Sequence, residues 1–146
     1  YGLLMTSMGI GSLAAALSLA MRSSKGPSRV RLYGGAAGMC LAILLCGLQR
    51  SYALSCVLLG ITGFCTISFS ASTNATIQLA SDDEHRGRVM SVWSLVFGGV
   101  TPLGSLYAGT VSQATSPALA MSLSGALGLV AAVAAILLVR RSKSLD

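Results

Sequence analysis

The sequence predicts an all-α protein, a polytopic transmembrane helix bundle of about five spans. Three observations carry that expectation. Hydrophobic residues make up 53% of the 146 and charged residues only 10%, against roughly 25% charged in a soluble domain. The mean hydropathy is +0.76. The ten basic and four acidic residues are confined to 22–31, Arg50, 82–88 and 140–146, which leaves 1–21, 32–49, 51–81 and 89–139 without a charge. A span needs roughly 20 apolar residues to cross about 30 Å of hydrocarbon, and the last stretch is long enough for two. A soluble helix of such length keeps a charged outer face; none of these does.

The first span runs over about 1–21 and mixes Gly2, Gly9 and Gly11 with Ala, Ser and Leu. A basic loop, 22–31, follows, with Gly26-Pro27 as its turn signal. The second span covers about 32–48, and Arg50 marks the short turn after it. The third, about 52–78, belongs to an apolar stretch longer than a bilayer needs, so Asn74 and Gln78 are placed at an aqueous edge or in a polar cavity. Ser81 followed by Glu84 has capping-box spacing, and Asp82, Asp83 and Glu84 suit a first turn. A helix is therefore expected to start there and to continue into the fourth span, about 89–111. Gln113 to Pro117 form a polar turn before the fifth span, about 118–139, and a basic tail, 140–146.

If the tail is cytoplasmic, Arg22, Lys25, Arg29, Arg31, Arg86, Arg88, Arg140, Arg141 and Lys143 all lie inside and only Arg50 lies outside. The positive-inside rule then orients the chain with Tyr1 outward. A net charge of +6 does not imply nucleic acid here, because no soluble surface exists to carry a binding face. Cys40, Cys46, Cys56 and Cys65 sit in apolar stretches with no CxxC pair and no nearby histidine, as small packing residues do. Neither metal nor cofactor is expected. The chain opens on Tyr1 with no basic segment before its first apolar run, unlike a signal peptide. It reads as a chain whose start is missing, and an odd number of spans fits that reading.

No Asp, Glu, Lys, Arg or His falls within the expected spans, whereas such residues mark proton relays and ion pathways. His85 lies in a charged loop and is read as solvated. The polar candidates for a substrate path are Thr66, Asn74 and Gln78 on the third stretch and Thr101 on the fourth, with Ser105 and Tyr107 behind them. Thr62, Thr66, Thr73 and Asn74 are read as neighbours on a helical wheel. An amide at Asn74 either faces a cavity or bonds across helices, since a buried amide needs a partner. Gly98, Gly99, Pro102 and Gly104 are hinge candidates, because proline frees a carbonyl and kinks a helix. Small residues also let helices approach closely in lipid, and Gly34 with Gly38, Gly60 with Gly63, and Gly104 with Gly109 have suitable spacing.

The run 74–79, the block 83–91 with Arg86, Gly87 and Arg88, and the run 101–109 with Pro102, Gly104 and Gly109 together resemble the C-terminal half of major facilitator superfamily transporters. The likeness is strongest to the bacterial branch of enterobactin exporters and macrolide-efflux-type permeases. The opening Tyr1, Gly2, Gly9 and Gly11 are similar to the eighth helix of that fold. The resemblance implies that the five spans are helices eight to twelve of a twelve-helix fold. It also implies a multi-pass protein of the bacterial inner membrane whose N-terminal half is missing. Asp83, Glu84, Arg86 and Arg88 then stand where cytoplasmic loops make the charge contacts that latch the outward-open state; topology marking and snorkelling to lipid phosphates are the other reading. The loop from Arg22 to Arg29 departs from the family pattern, lacking an acid before its first arginine and a basic pair after its glycine.

Two functions follow. The first is part of a secondary active transporter, not an enzyme, that exports a small drug- or siderophore-type molecule across the lipid bilayer by alternating access. The second is a small non-transporting membrane scaffold or assembly protein, which also explains uncharged, glycine-rich helices.

Overall fold

The computed structural model describes residues 2–21 and 29–142. Five α-helices follow one another: α1 (Gly2–Ala20), α2 (Arg29–Leu48), α3 (Tyr52–Ala80), α4 (Arg86–Ala114) and α5 (Pro117–Ser142). All five are long and apolar enough to cross a membrane. The all-α, five-span bundle is therefore what the sequence predicts. Arg22, Lys25 and Lys143, which enter the charge count, lie outside the described residues, as do the side chains of Arg29, Arg140 and Arg141.

The helices overrun the uncharged spans. At 1.5 Å per residue, 29 residues of α3 or α4 measure about 43 Å, well beyond the hydrocarbon. Polar ends stay helical because the i to i−4 bonds satisfy the backbone whether or not lipid surrounds it.

The capping box is not formed. Helix α3 continues to Ala80, and the Ser81 hydroxyl donates back to the Ile77 carbonyl at 2.7 Å, so it caps nothing ahead of it. Helix α4 starts only at Arg86 and has no acid in its first turn. The acidic residues instead fill the connecting turn, where the Asp82 carbonyl accepts from the backbone N–H groups of His85 and Arg86 at 3.0 and 2.9 Å. The spacing was right for a cap, but the serine was claimed by the preceding helix.

In order of main contacts the helices form a row, α1, α3, α2, α5, α4, with α4 also brushing α3. The interior of that row is made of small side chains. Ala15, Cys40, Ala42 and Ala120 are buried with Leu58, and Thr62, Ser68 and Ser72 join them. The large side chains point outward, with Leu95 75% and Val130 67% exposed. This inverts a soluble core. Lipid tails are as apolar as leucine, so helices gain little by hiding leucine and associate through close backbone contact at small residues.

Those contacts are specific. A Cβ added to Gly11 falls on the Gly60 carbonyl, and one added to Gly63 falls on the Met8 carbonyl, which fixes α1 on α3. A Cβ added to Gly38 would lie 2.9 Å from Cys65 Sγ and one added to Gly35 would lie 3.1 Å from Phe69 Cβ, pairings that lay α2 antiparallel on α3. A Cβ added to Gly125 would lie 2.5 Å from Leu44 N and one added to Gly128 would lie 2.8 Å from Cys40 Sγ, pairings that lay α5 antiparallel on α2. Cys40 and Cys65 are therefore packing knobs over glycine notches. The expected pair Gly34 and Gly38 is corrected to Gly35 and Gly38, since the Cβ position of Gly34 is open; one residue is about 100° of rotation, enough to change faces. Around Gly104 and Gly109 no packing partner is found among the described residues.

Candidate functional site

The threonines of α3 spend their hydroxyls on their own helix. Thr62 donates to the Leu58 carbonyl, Thr66 to Thr62 and Thr73 to Phe69, at 2.8 to 2.9 Å. Satisfied in this way, a threonine passes as an apolar residue within a span. Thr62 is buried and Thr66 half-buried. Asn74 does not share their face: twelve residues beyond Thr62, it is rotated by about 120°. Thr66→Val, which keeps the shape, is expected to change stability by less than about 1 kcal/mol, as read by thermal unfolding in detergent. A loss of several kcal/mol would show a second partner for the hydroxyl.

Asn74 and Gln78 do come together. The Gln78 side-chain amide donates to Asn74 Oδ1, so one hydrogen bond joins the two. With Ile67, Ser70, Ala71 and Ala75 they border an open groove of about 360 Å³. Gly35 lies against Phe69, so counting back along α2 puts Arg29 level with about residue 75 of α3. The amide pair thus sits at the end of the bundle that carries Arg31, not at mid-depth.

Helix α4 has a different character from its neighbours. None of its residues is buried among the described residues, and added Cβ atoms at Gly98, Gly99 and Gly104 meet nothing within 4 Å. The helix runs unbroken through Pro102. Proline has no N–H, so the Gly98 carbonyl loses its i+4 donor. Thr101 donates to the Phe97 carbonyl at 2.9 Å and Ser105 to the Thr101 carbonyl at 3.1 Å, adding polar atoms beside that gap. One turn before it, Trp93 and Phe97 stack at 5.4 Å between centroids. The hinge candidates Gly98, Gly99, Pro102 and Gly104 and the path candidate Thr101 therefore occupy one loosely held segment of α4.

In the turn between α3 and α4, Arg86 and Asp83 form an ion pair at 2.8 Å, with the side chains 47% and 89% exposed. Glu84 and Arg88 are exposed beside it. A pair so open to water contributes at most about 1 kcal/mol. Asp83→Asn is expected to leave the unfolding temperature of the detergent-solubilised chain nearly unchanged, and a large drop would show that the pair braces the bundle. Among the described residues no three His, Cys, Asp or Glu side chains gather as a metal site.

The sequence offered no sign of two further residues. Ser68 and Ser72, one turn apart on α3, are only 6% and 3% exposed. No hydrogen bond satisfies either hydroxyl among the described residues. Ser68 borders a cavity of about 360 Å³ between α1, α2 and α3, together with Ser18, Arg31 and Phe64. A serine in a helix already rich in small residues carries no periodic signal that separates it from packing.

The family model described as Major Facilitator Superfamily matches residues 1–146. No curated protein and no solved structure matches the chain. Five membrane-long helices, small residues where they touch, large ones facing outward and a match over the whole length have one common account: the chain is a multi-pass membrane protein that belongs to the Major Facilitator Superfamily of transporters.

Proposed function

We propose that this chain is the C-terminal part, helices eight to twelve, of a secondary active exporter of small drug- or siderophore-type molecules. It resides in a bacterial cytoplasmic membrane with its basic end inside and works by alternating access with an N-terminal half. The observation that carries the reading is the contrast between α4 and the rest. Four helices lock at glycine contacts, whereas α4 is unburied and carries Pro102, Thr101 and open glycines at one level. That is the composition of a surface that changes partners during a cycle. Thr101 and Ser105 would meet substrate, Asn74 and Gln78 would border its cytoplasmic entry, and Asp83, Glu84, Arg86 and Arg88 would form the loop contacts that open and close with the cycle. The four uncharged stretches hold no carboxylate, so a proton-coupling group, where protons drive export, belongs to the N-terminal half.

The test is export from cells or proteoliposomes of a lipophilic cationic dye and of a catecholate siderophore, by the chain with and without a joined N-terminal half. Export that depends on the joined half supports the proposal. Equal export by the 146-residue chain alone, or none by either form while both remain folded, counts against it, the latter in favour of a scaffold.

A further inference from the structure

We propose that the cavity between α1, α2 and α3 binds a phosphate group, as the headgroup of an anionic phospholipid. Three independent features meet there. The first is space: about 360 Å³, room for a phosphate and the start of its glycerol. The second is charge. Arg31, half-buried in the first turn of α2, borders the cavity. It also has a partner within the protein, and a guanidinium carries five N–H donors in a fork that fits phosphate oxygens. The positive end of the α2 dipole points the same way.

The third feature is Ser68. It is 6% exposed and makes no hydrogen bond among the described residues. No polar side-chain atom among them is both sealed from solvent and unpartnered, so the Ser68 hydroxyl opens onto the cavity it borders. An unpartnered hydroxyl at the wall of a hole beside a cation lacks only an acceptor. Much of the remaining wall is apolar, with Val30 and Phe64 both exposed at the surface of the bundle. A phosphate entering from the lipid can therefore keep its acyl chains in hydrocarbon while its oxygens reach Arg31 and Ser68. A cation between helices near the membrane surface is a setting in which lipid headgroups are held. The site is distinct from the α4 surface and stands whether or not that surface carries substrate.

The test uses the purified chain in neutral detergent, titrated separately with short-chain phosphatidylglycerol, short-chain phosphatidylcholine and glycerol 3-phosphate. Binding is read as a ligand-dependent rise in unfolding temperature. Phosphatidylglycerol is expected to bind about tenfold or more tightly than phosphatidylcholine. Arg31→Gln is expected to weaken it by about tenfold or more, the loss of one charge-assisted contact. Ser68→Ala leaves the lipid-free unfolding temperature unchanged or higher, because the hydroxyl has no partner to lose, yet weakens phosphatidylglycerol binding several-fold. Arg50→Gln, at the far end of α2, leaves binding intact. Glycerol 3-phosphate binding as tightly as the lipid, and lost in Arg31→Gln, would keep the phosphate site but assign it a soluble ligand. Binding indifferent to Arg31→Gln and Ser68→Ala, or equally weakened by Arg50→Gln, would overturn the proposal.

Discussion

Replacing Gly63 by leucine is expected to take the bundle apart. A Cβ at this position already overlaps the Met8 carbonyl, and Met8 C lies 3.1 Å away. Both are backbone atoms, which cannot rotate aside as a side chain can. Overfilling a packed site costs about 1–3 kcal/mol when side chains absorb it; here α1 must move away from α3 bodily, so the loss exceeds that range. It also removes the close approach that supplies the packing energy between helices in lipid. The expected result in detergent is loss of the monodisperse folded species on size exclusion, with a collapsed unfolding temperature. Gly104→Leu is the matched control. It adds the same atoms to a glycine with nothing within 4 Å, and the fold should be indifferent to it. Equal damage from both substitutions would show that glycine content, not the α1–α3 contact, is what the fold needs.

The second large effect is on transport. Gly104→Trp and Pro102→Ala should both leave a folded protein while reducing export by about tenfold or more, for opposite reasons. The tryptophan fills open space on α4 that the N-terminal half would have to sweep. The alanine restores an N–H to the Gly98 carbonyl, which stiffens α4 and stabilises it by up to about 3 kcal/mol. A tenfold change in rate corresponds to about 1.4 kcal/mol in a barrier, well within what one regained helix bond supplies. Export from cells expressing the chain with its N-terminal half, normalised to membrane-inserted protein, gives the measurement. Undiminished export by both variants would remove α4 from the moving parts.

Much of the fold was legible because hydrocarbon imposes a rule that sequence records directly. A charge in the bilayer is costly, so the uncharged stretches 1–21, 32–49, 51–81 and 89–139 announced the helices. What packs against what was less legible. Gly34 and Gly38 have the familiar spacing, yet Gly35 and Gly38 make the contacts, because helix rotation depends on neighbours that a single stretch does not name. The capping box at Ser81 failed for a related reason. Local spacing cannot tell whether a hydroxyl serves the helix behind it or the helix ahead. Thr66 was legible as polar but not as satisfied, and Ser68 as small but not as unsatisfied. Both distinctions arise from hydrogen-bond geometry, which residue type leaves open. The gathering of Thr101, Pro102, Gly98 and Gly104 on one helix was legible, since it depends on local sequence alone.

Helix α4 meets α5 more than α3, yet neither contact buries any of its residues. A panel held chiefly by one neighbour turns about that neighbour. In the proposed cycle, rotation about α5 would open the seam between α3 and α4 while the glycine-locked row from α1 to α5 stayed still. A force applied to the Asp82–Arg88 turn, at one end of that seam, acts on the panel with the spacing between α4 and α5, about 8–10 Å, as its lever arm. The fold thus separates a frame from a door, and the door's pin is a helix that the frame itself holds in place.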